Sequence, residues 1–245
     1  SSFHVTGVQT CALPISSPFT GGALLGDRVR MNHYIWDDNV FIRSMGSHGD
    51  LGGLARKAQD VGDVLAASGK DVVIFETVGV GQGELDVAKA VDLTIVVLVP
   101  ESGDEVQLMK AGLVEIADIF VVNKSDRQGA DRLAQSLKSI LHSITKKDHL
   151  EPPIYNTSAD RNEGISELYK GLTHLTEVMV DKGLMNQKYL DRHRNRVLNL
   201  IQDQLLGKFW TQQRLDQLED SVHNLSMTDE SPYKVAKTLL DSANE

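Results

Sequence analysis

Along this chain, short runs of consecutive apolar residues alternate with longer stretches in which apolar residues recur every three or four positions. The runs are residues 72–75 (VVIF), 93–99 (LTIVVLV), 119–122 (IFVV) and 154–156 (IYN), and each leads into a loop rich in Gly, Pro, Asp or Ser. Unbroken apolar runs with many β-branched residues belong to strands covered on both faces, as in parallel sheets. Residues 54–68, 82–90, 105–116, 130–147 and 163–182 carry the helical spacing. The alternation predicts an α/β fold with a mainly parallel sheet flanked by helices. Its strand-to-helix loops are expected to gather at the carboxyl edge, where open sheets of this class bind ligands. Residues 40–44 are a further strand candidate. Beyond residue 183 the strand-like runs stop, and 187–209, 212–224 and 231–242 read as polar, amphipathic helices, so a helical extension over 184–245 follows a sheet domain over 16–183. Leu190, Val197, Leu198, Ile201, Leu205 and Trp210 form an apolar stripe there, which either docks on the sheet domain or serves as a dimerisation arm.

Composition narrows the partners. With 245 residues, 41% of them hydrophobic, the chain is long enough for one sizeable core and a small appendage. Lys and Arg total 25 against 34 for Asp and Glu, a net charge of -9. That balance argues against a surface built to neutralise nucleic-acid phosphates. A single cysteine cannot form an internal disulfide, and no apolar run reaches the roughly 18 to 20 residues that span a bilayer. The expectation is a cytoplasmic protein with neither nucleic acid nor membrane as partner.

Residues 1–15 fit neither period and lack the basic start and long apolar stretch of a signal peptide. Residues 5–15, VTGVQTCALPI, resemble the conceptual translation of a short-read sequencing adapter. We therefore expect residues 1–15 to stand outside the fold as a non-native leader, Cys11 with them, and the native chain to extend upstream of Ser16.

The strongest local chemistry is Asn123-Lys124-Ser125-Asp126, directly after IFVV. In a guanine-nucleotide site such a tetrad stands at a strand end: the Asp carboxylate accepts from guanine N1–H and N2–H, Asn meets the base edge and the Lys stem covers the ring. Adenine offers no matching pair of donors. The alternative is a polar loop whose Asp126 caps a following helix. About thirty residues later, Thr157-Ser158-Ala159 follows the next strand, where GTPases use backbone amides to contact guanine O6. Between the earlier strand and a helix lies Glu76-Thr77-Val78-Gly79-Val80-Gly81-Gln82. There an acid at a strand tip can hold a magnesium-bound or attacking water, and a glycine turn lets an amide approach a terminal phosphate. A plain glycine-rich connector is the alternative.

In their order these elements resemble the MeaB/ArgK family of P-loop GTPases, whose metazoan relative acts in cobalamin metabolism. The likeness runs from Ser16 to the C-terminus. It is carried most specifically by SSPFTGGALLGDRVRM (16–31), VFIRSMGSHGDLGGLA (40–55), ETVGVGQGELDVA (76–88) and SGDEVQLMKAGLVEIADIFVVNKSD (102–126). The resemblance implies a P-loop NTPase fold, GTP or GDP as ligand and Mg2+ as cofactor. It assigns Asp27 and Glu76 to the magnesium ion and the switches, and Gly79 to the γ-phosphate amide. Asn123, Lys124, Asp126, Ser158 and Ala159 fall to the base. Gln107 and Lys110 fall to a mobile loop that senses a partner, although on spacing alone both fit a solvated helix face, and Asp27 fits an exposed turn.

One element of the family is missing. No G-x-x-x-x-G-K-[ST] occurs among the 245 residues, so the phosphate cradle, its Lys and the magnesium-binding hydroxyl are not in this sequence. The family also has an acid two residues before SSPF, where this chain has Pro14. The resemblance implies a homodimeric GTPase that assists an adenosylcobalamin-dependent acyl-CoA mutase, methylmalonyl-CoA mutase, with this chain an inactive portion of it. Two other readings stay open: an accessory GTPase for nickel insertion, against which the scattered histidines and single cysteine weigh, and a non-catalytic binding module.

Overall fold

The computed structural model describes residues 9–11, 34, 36–37, 39–43, 58–76, 88–100, 112–144, 150–223 and 231–242. The chain divides into two compact units, residues 1–189 and 190–245.

In the first unit the strands are β1 (Gln9–Cys11), β2 (Val73–Phe75), β3 (Ile95–Leu98), β4 (Ile119–Val122) and β5 (Ile154–Asn156). The described strands pair in parallel: β1 with β2, and a three-stranded sheet in the order β3-β4-β5. The helices are α1 (Ala58–Ala67), α2 (Leu113–Ile116), α3 (Ala130–Ile144) and α4 (Ile165–Asp181), and the long α5 (Leu184–Phe209) starts in this unit. This is the parallel, helix-flanked α/β architecture that the alternation of runs predicts.

β4 explains itself from its sequence. IFVV has no polar position, and all four residues are buried between β3 and β5. At the edge, β3 alternates, with Val96 and Leu98 inside and Ile95 and Val97 outside. The inner face meets α3, whose Leu133, Leu137 and Leu141 recur every four residues and so share one side of the helix. Each such buried leucine contributes roughly 1.5 to 3 kcal/mol. A smaller cluster forms where Ala58, Val61 and Leu65 of α1 pack with Val73 and Phe75 of β2. Gly62 is needed there, because a Cβ would run into the Phe75 ring.

The amino ends of β3 and β4 are clamped to the start of α5. Asp118 accepts from the Thr94 amide at 2.8 Å and from Lys188 Nζ at 2.7 Å, and Lys188 also donates to the Asp92 carbonyl at 3.2 Å. The first turns of α5 thus belong with the sheet.

Two local expectations are corrected. Gln9–Cys11, within the segment read as standing outside the fold, form a strand paired in register with Val73–Phe75. Parallel pairing satisfies backbone groups whatever the side chains, so no periodicity announced it. Residues 40–43 belong to no strand. The Val40 amide instead closes a turn onto the Asp37 carbonyl at 2.9 Å. Of the helix read at 82–90, residues 88–90 are described and helical, and of that read at 105–116, α2 is described.

The second unit contains the rest of α5, α6 (Gln212–His223) and α7 (Pro232–Asp241). Arg214 ties it together, donating to the carbonyls of Phe209 at 2.7 Å and Ser242 at 3.2 Å with its guanidinium 5.0 Å from the Phe209 ring centroid. Ser231 caps α7 with Pro232 at its first position. Leu190, Val197, Leu198, Ile201, Leu205 and Trp210 are all exposed in this chain. Among the described residues no helix is long and apolar enough to cross a membrane.

Candidate guanine-nucleotide site

Neighbouring parallel strands bring their following loops side by side. In the β4–β5 register Val122 stands opposite Asn156, so residues 123–126 and 157–161 leave the sheet together at its carboxyl edge. The ladder continues past the strands: the Asn123 amide donates to the Leu98 carbonyl at 2.8 Å and the Thr157 amide to the Val122 carbonyl at 2.9 Å. The Ser125 amide then reaches the Thr157 carbonyl at 2.9 Å.

Side chains lock the two loops. Asn123 Oδ1 accepts from the Thr157 hydroxyl at 3.1 Å and from the Ala159 amide at 3.2 Å. The Ser158 hydroxyl donates to Asp126 Oδ1 at 2.9 Å and stands equally close to Asp160 Oδ1, so one proton is shared between two carboxylates. Arg161 Nη2 lies 3.1 Å from Asp126 Oδ2. Thr157 and Ser158 are buried. Asp126 is therefore not the cap of the following helix, since α3 begins at Ala130 and both carboxylate oxygens face the second loop.

Backbone geometry supports the same arrangement. Lys124 adopts φ 56, an uncommon value for a residue with a side chain, and the turn closes through the Arg127 amide on its carbonyl at 3.0 Å. Residues held in this region cluster at functional sites. The second loop is a short 3-10 turn, Ala159–Arg161, pinned by reciprocal backbone bonds between Ser158 and Glu163 at 3.0 and 3.1 Å. It ends at Gly164, φ 73, where a Cβ would strike the Asn156 carbonyl oxygen.

The Asp126 carboxyl is held below its ordinary value of 3.8, chiefly by the Ser158 hydroxyl. Burial pushes the other way, while its own backbone amide and the guanidiniums of Arg161 and Arg127 pull it further down. At neutral pH the site presents a fixed anion on the loop between β4 and α3. Such a group accepts hydrogen bonds and donates none, which suits a ligand edge carrying two adjacent N–H groups.

Of the site residues read from the sequence, the structure brings Asn123, Asp126, Ser158 and Ala159 into one bonded network, with Lys124 at its turn. Glu76 follows β2 directly and is exposed. Asp27, Gly79, Gln107 and Lys110 lie outside the described residues. Among the described residues, no group of three or more His, Cys, Asp or Glu side chains could hold a metal ion. Arg161 went unnoticed in the sequence; the available signal was a basic residue three positions after Ser158, inside a turn too short to carry it away.

The model of one protein family, methylmalonyl Co-A mutase-associated GTPase MeaB, matches residues 5–214, starting within the segment read as foreign. A protein of Pyrococcus abyssi named as a GTPase is 41% identical over 236 residues, spanning 95% of this chain and 73% of the relative. GTPase ArgK of Escherichia coli is 38% identical over 184 residues, 74% of this chain and 56% of that protein. Among solved structures, one described as an LAO/AO transport system kinase superposes with a TM-score of 0.65 at 22% identity, covering 98% of this chain and 82% of the other. That last likeness concerns the fold.

Proposed function

We propose that this chain, which belongs to the family of methylmalonyl Co-A mutase-associated GTPases MeaB, recognises the guanine base of GTP and GDP through Asp126. The single observation that carries the reading is the Asp126 carboxylate, ionised and gripped by the buried Ser158 at the carboxyl edge of a parallel sheet. Guanine presents N1–H and N2–H to such a group. Adenine presents an acceptor at N1 and no amino group beside it, so an adenine nucleotide sets an acceptor against the carboxylate and leaves its remaining acceptor sites unfilled. Asn123 orders the second loop, and the Ala159 amide, bonded to Asn123 Oδ1 in this structure, is the donor for guanine O6 once the base arrives.

Mg2+ bound with the nucleotide would draw charge from the terminal phosphates, and Glu76, an exposed carboxylate at a strand end, is a suitable hard-oxygen donor for it. Asp27 is its proposed companion and Gly79 the proposed amide donor to the γ-phosphate. Because these 245 residues hold no G-x-x-x-x-G-K-[ST], we propose that the chain as it stands hydrolyses GTP far more slowly than a relative containing that motif, the cradle being the main stabiliser of phosphate charge.

The family description, which names association with methylmalonyl Co-A mutase, supports an acyl-CoA mutase as the partner, and we propose that this mutase depends on adenosylcobalamin and that the nucleotide state of the chain gates its cofactor loading. In this reading Gln107 and Lys110 report that state to the mutase, the apolar stripe of α5 holds two copies together, and the protein works in the cytoplasm.

The base assignment is tested by Asp126→Asn. The amide replaces one acceptor by a donor, so the variant is expected to lose its preference for GDP and to favour xanthosine diphosphate, which carries an oxygen where guanine has its amino group. Titration of both proteins with GDP, xanthosine diphosphate and ADP reads this out, and an unchanged preference for GDP removes the assignment.

A further inference from the structure

Asp126 is gripped from two sides by groups of different character. On the inner side the Ser158 hydroxyl, with no exposed surface, lies 2.9 Å from Oδ1. On the outer side Arg161 Nη2 lies 3.1 Å from Oδ2, its side chain 57% exposed against 15% for that of Asp126. Both groups come from one tight segment whose spacing is fixed by the Ser158–Glu163 backbone pair and by the Arg161 amide on the Ser158 carbonyl at 3.1 Å. Rotation of the carboxylate about its Cβ–Cγ bond would break both contacts at once.

The count of acceptor sites gives this grip a purpose. An ionised carboxylate offers about four lone-pair positions, two on each oxygen. Ser158 takes one on Oδ1, Arg161 takes one on Oδ2, and the Asp126 backbone amide also bonds to the carboxylate, so the grip restricts the directions left open to the donors of a guanine edge. A guanidinium suits the outer position, since it never loses its charge and only donates.

We propose that Arg161 is a positioning residue for base recognition, fixing the plane of the Asp126 carboxylate so that its remaining acceptor sites face guanine. The proposal rests on the reading of Asp126 as the base acceptor and adds a residue to it. Arg161 acts through Asp126. The charged groups around that carboxylate are Arg161 and Asp160 on the facing turn and Lys124 and Arg127 on its own loop. Arg161 is in direct contact with Oδ2. The opposite role, a competitor that guanine must displace, makes the contrary forecast: removing Arg161 would tighten binding.

The test compares the full chain with Arg161→Ala, Arg161→Lys and Asp126→Asn, each checked for an unchanged thermal midpoint. GDP and ADP are titrated into isotope-labelled protein, and the Asp126 carboxyl carbon is followed against pH without nucleotide. Arg161→Ala is expected to weaken GDP binding by about threefold or more, the scale of a solvent-facing ion pair, to leave the weak ADP response unaltered, and to raise the Asp126 titration midpoint. Arg161→Lys is expected to recover part of both effects. Unchanged or tighter GDP binding in Arg161→Ala overturns the proposal, as does an unmoved midpoint. Should Asp126→Asn keep its preference for GDP, the base reading falls and this inference with it. Should Asp126→Asn lose the preference while Arg161→Ala binds GDP normally, the role of Arg161 alone is lost.

Discussion

Ser158 and Asp126, 32 positions apart in the chain, meet through one hydroxyl-to-carboxylate hydrogen bond of 2.9 Å, and the serine is fully buried while it donates. The bond joins the loops after β4 and β5, so the orientation of this anion depends on a residue that follows another strand. A buried hydroxyl with a charged acceptor is among the stronger hydrogen bonds a protein makes.

Acid should therefore undo this junction late. A carboxyl whose pKa is lower in the folded chain contributes stability that is fully present above its unfolded value, here 3.8, and lost as pH falls through the folded one. From about pH 8 down to pH 5 the contribution is expected to stay constant, and the Asp126 carboxyl carbon to titrate below 3.8. Ser158→Ala removes the leading cause of the depression, so its midpoint is expected to move up. A carboxyl-carbon titration of both proteins checks the order.

Gly164→Ala is expected to lower stability more than an ordinary loop substitution. The residue sits at φ 73, and the new Cβ would meet the Asn156 carbonyl oxygen. The left-handed conformation alone costs roughly 1 to 2 kcal/mol for a residue with a Cβ. Because the same turn carries Ser158 and Arg161, GDP affinity should fall together with the urea midpoint. A loss of stability with undiminished GDP affinity would separate the turn from the site.

Leu137→Ala removes a side chain with no exposed surface from the face of α3 that meets the sheet. The expected loss is about 2 to 5 kcal/mol, the transfer term plus the cavity left behind. Chemical denaturation measures it. A loss below 1 kcal/mol would mean that the helix collapses onto the sheet to fill the space.

The proposed dimer arm is tested by Ile201→Glu combined with Leu205→Glu. Both residues are exposed in the single chain, so the charges should fold without difficulty. Sedimentation is expected to show two copies for the unaltered chain and one for the variant. A monomeric unaltered chain would remove the arm.

Much of the fold was legible before any coordinates. IFVV reads as a central strand because a run without polar positions must be covered on both faces, and α3 shows its buried side in the four-residue recurrence of Leu133, Leu137 and Leu141. Residues 187–209, 212–224 and 231–242 announced the helices α5, α6 and α7, although α5 and α6 bury no residue in this chain. The tetrad 123–126 and the segment 157–159 stood out in the sequence by residue type, and the structure brings these two loops together. Sequence could not reveal which atoms meet. Asn123 finds Thr157 and Ala159, and Asp126 finds Ser158 and Arg161, because parallel pairing and register, not local periodicity, decide which loops leave the sheet together; Asp118 finds Lys188 across 70 positions because the start of α5 packs at the amino ends of β3 and β4. The strand Gln9–Cys11 belongs to the same class: its partner is Val73–Phe75, and backbone hydrogen bonds to a distant segment leave no mark in the order of side chains.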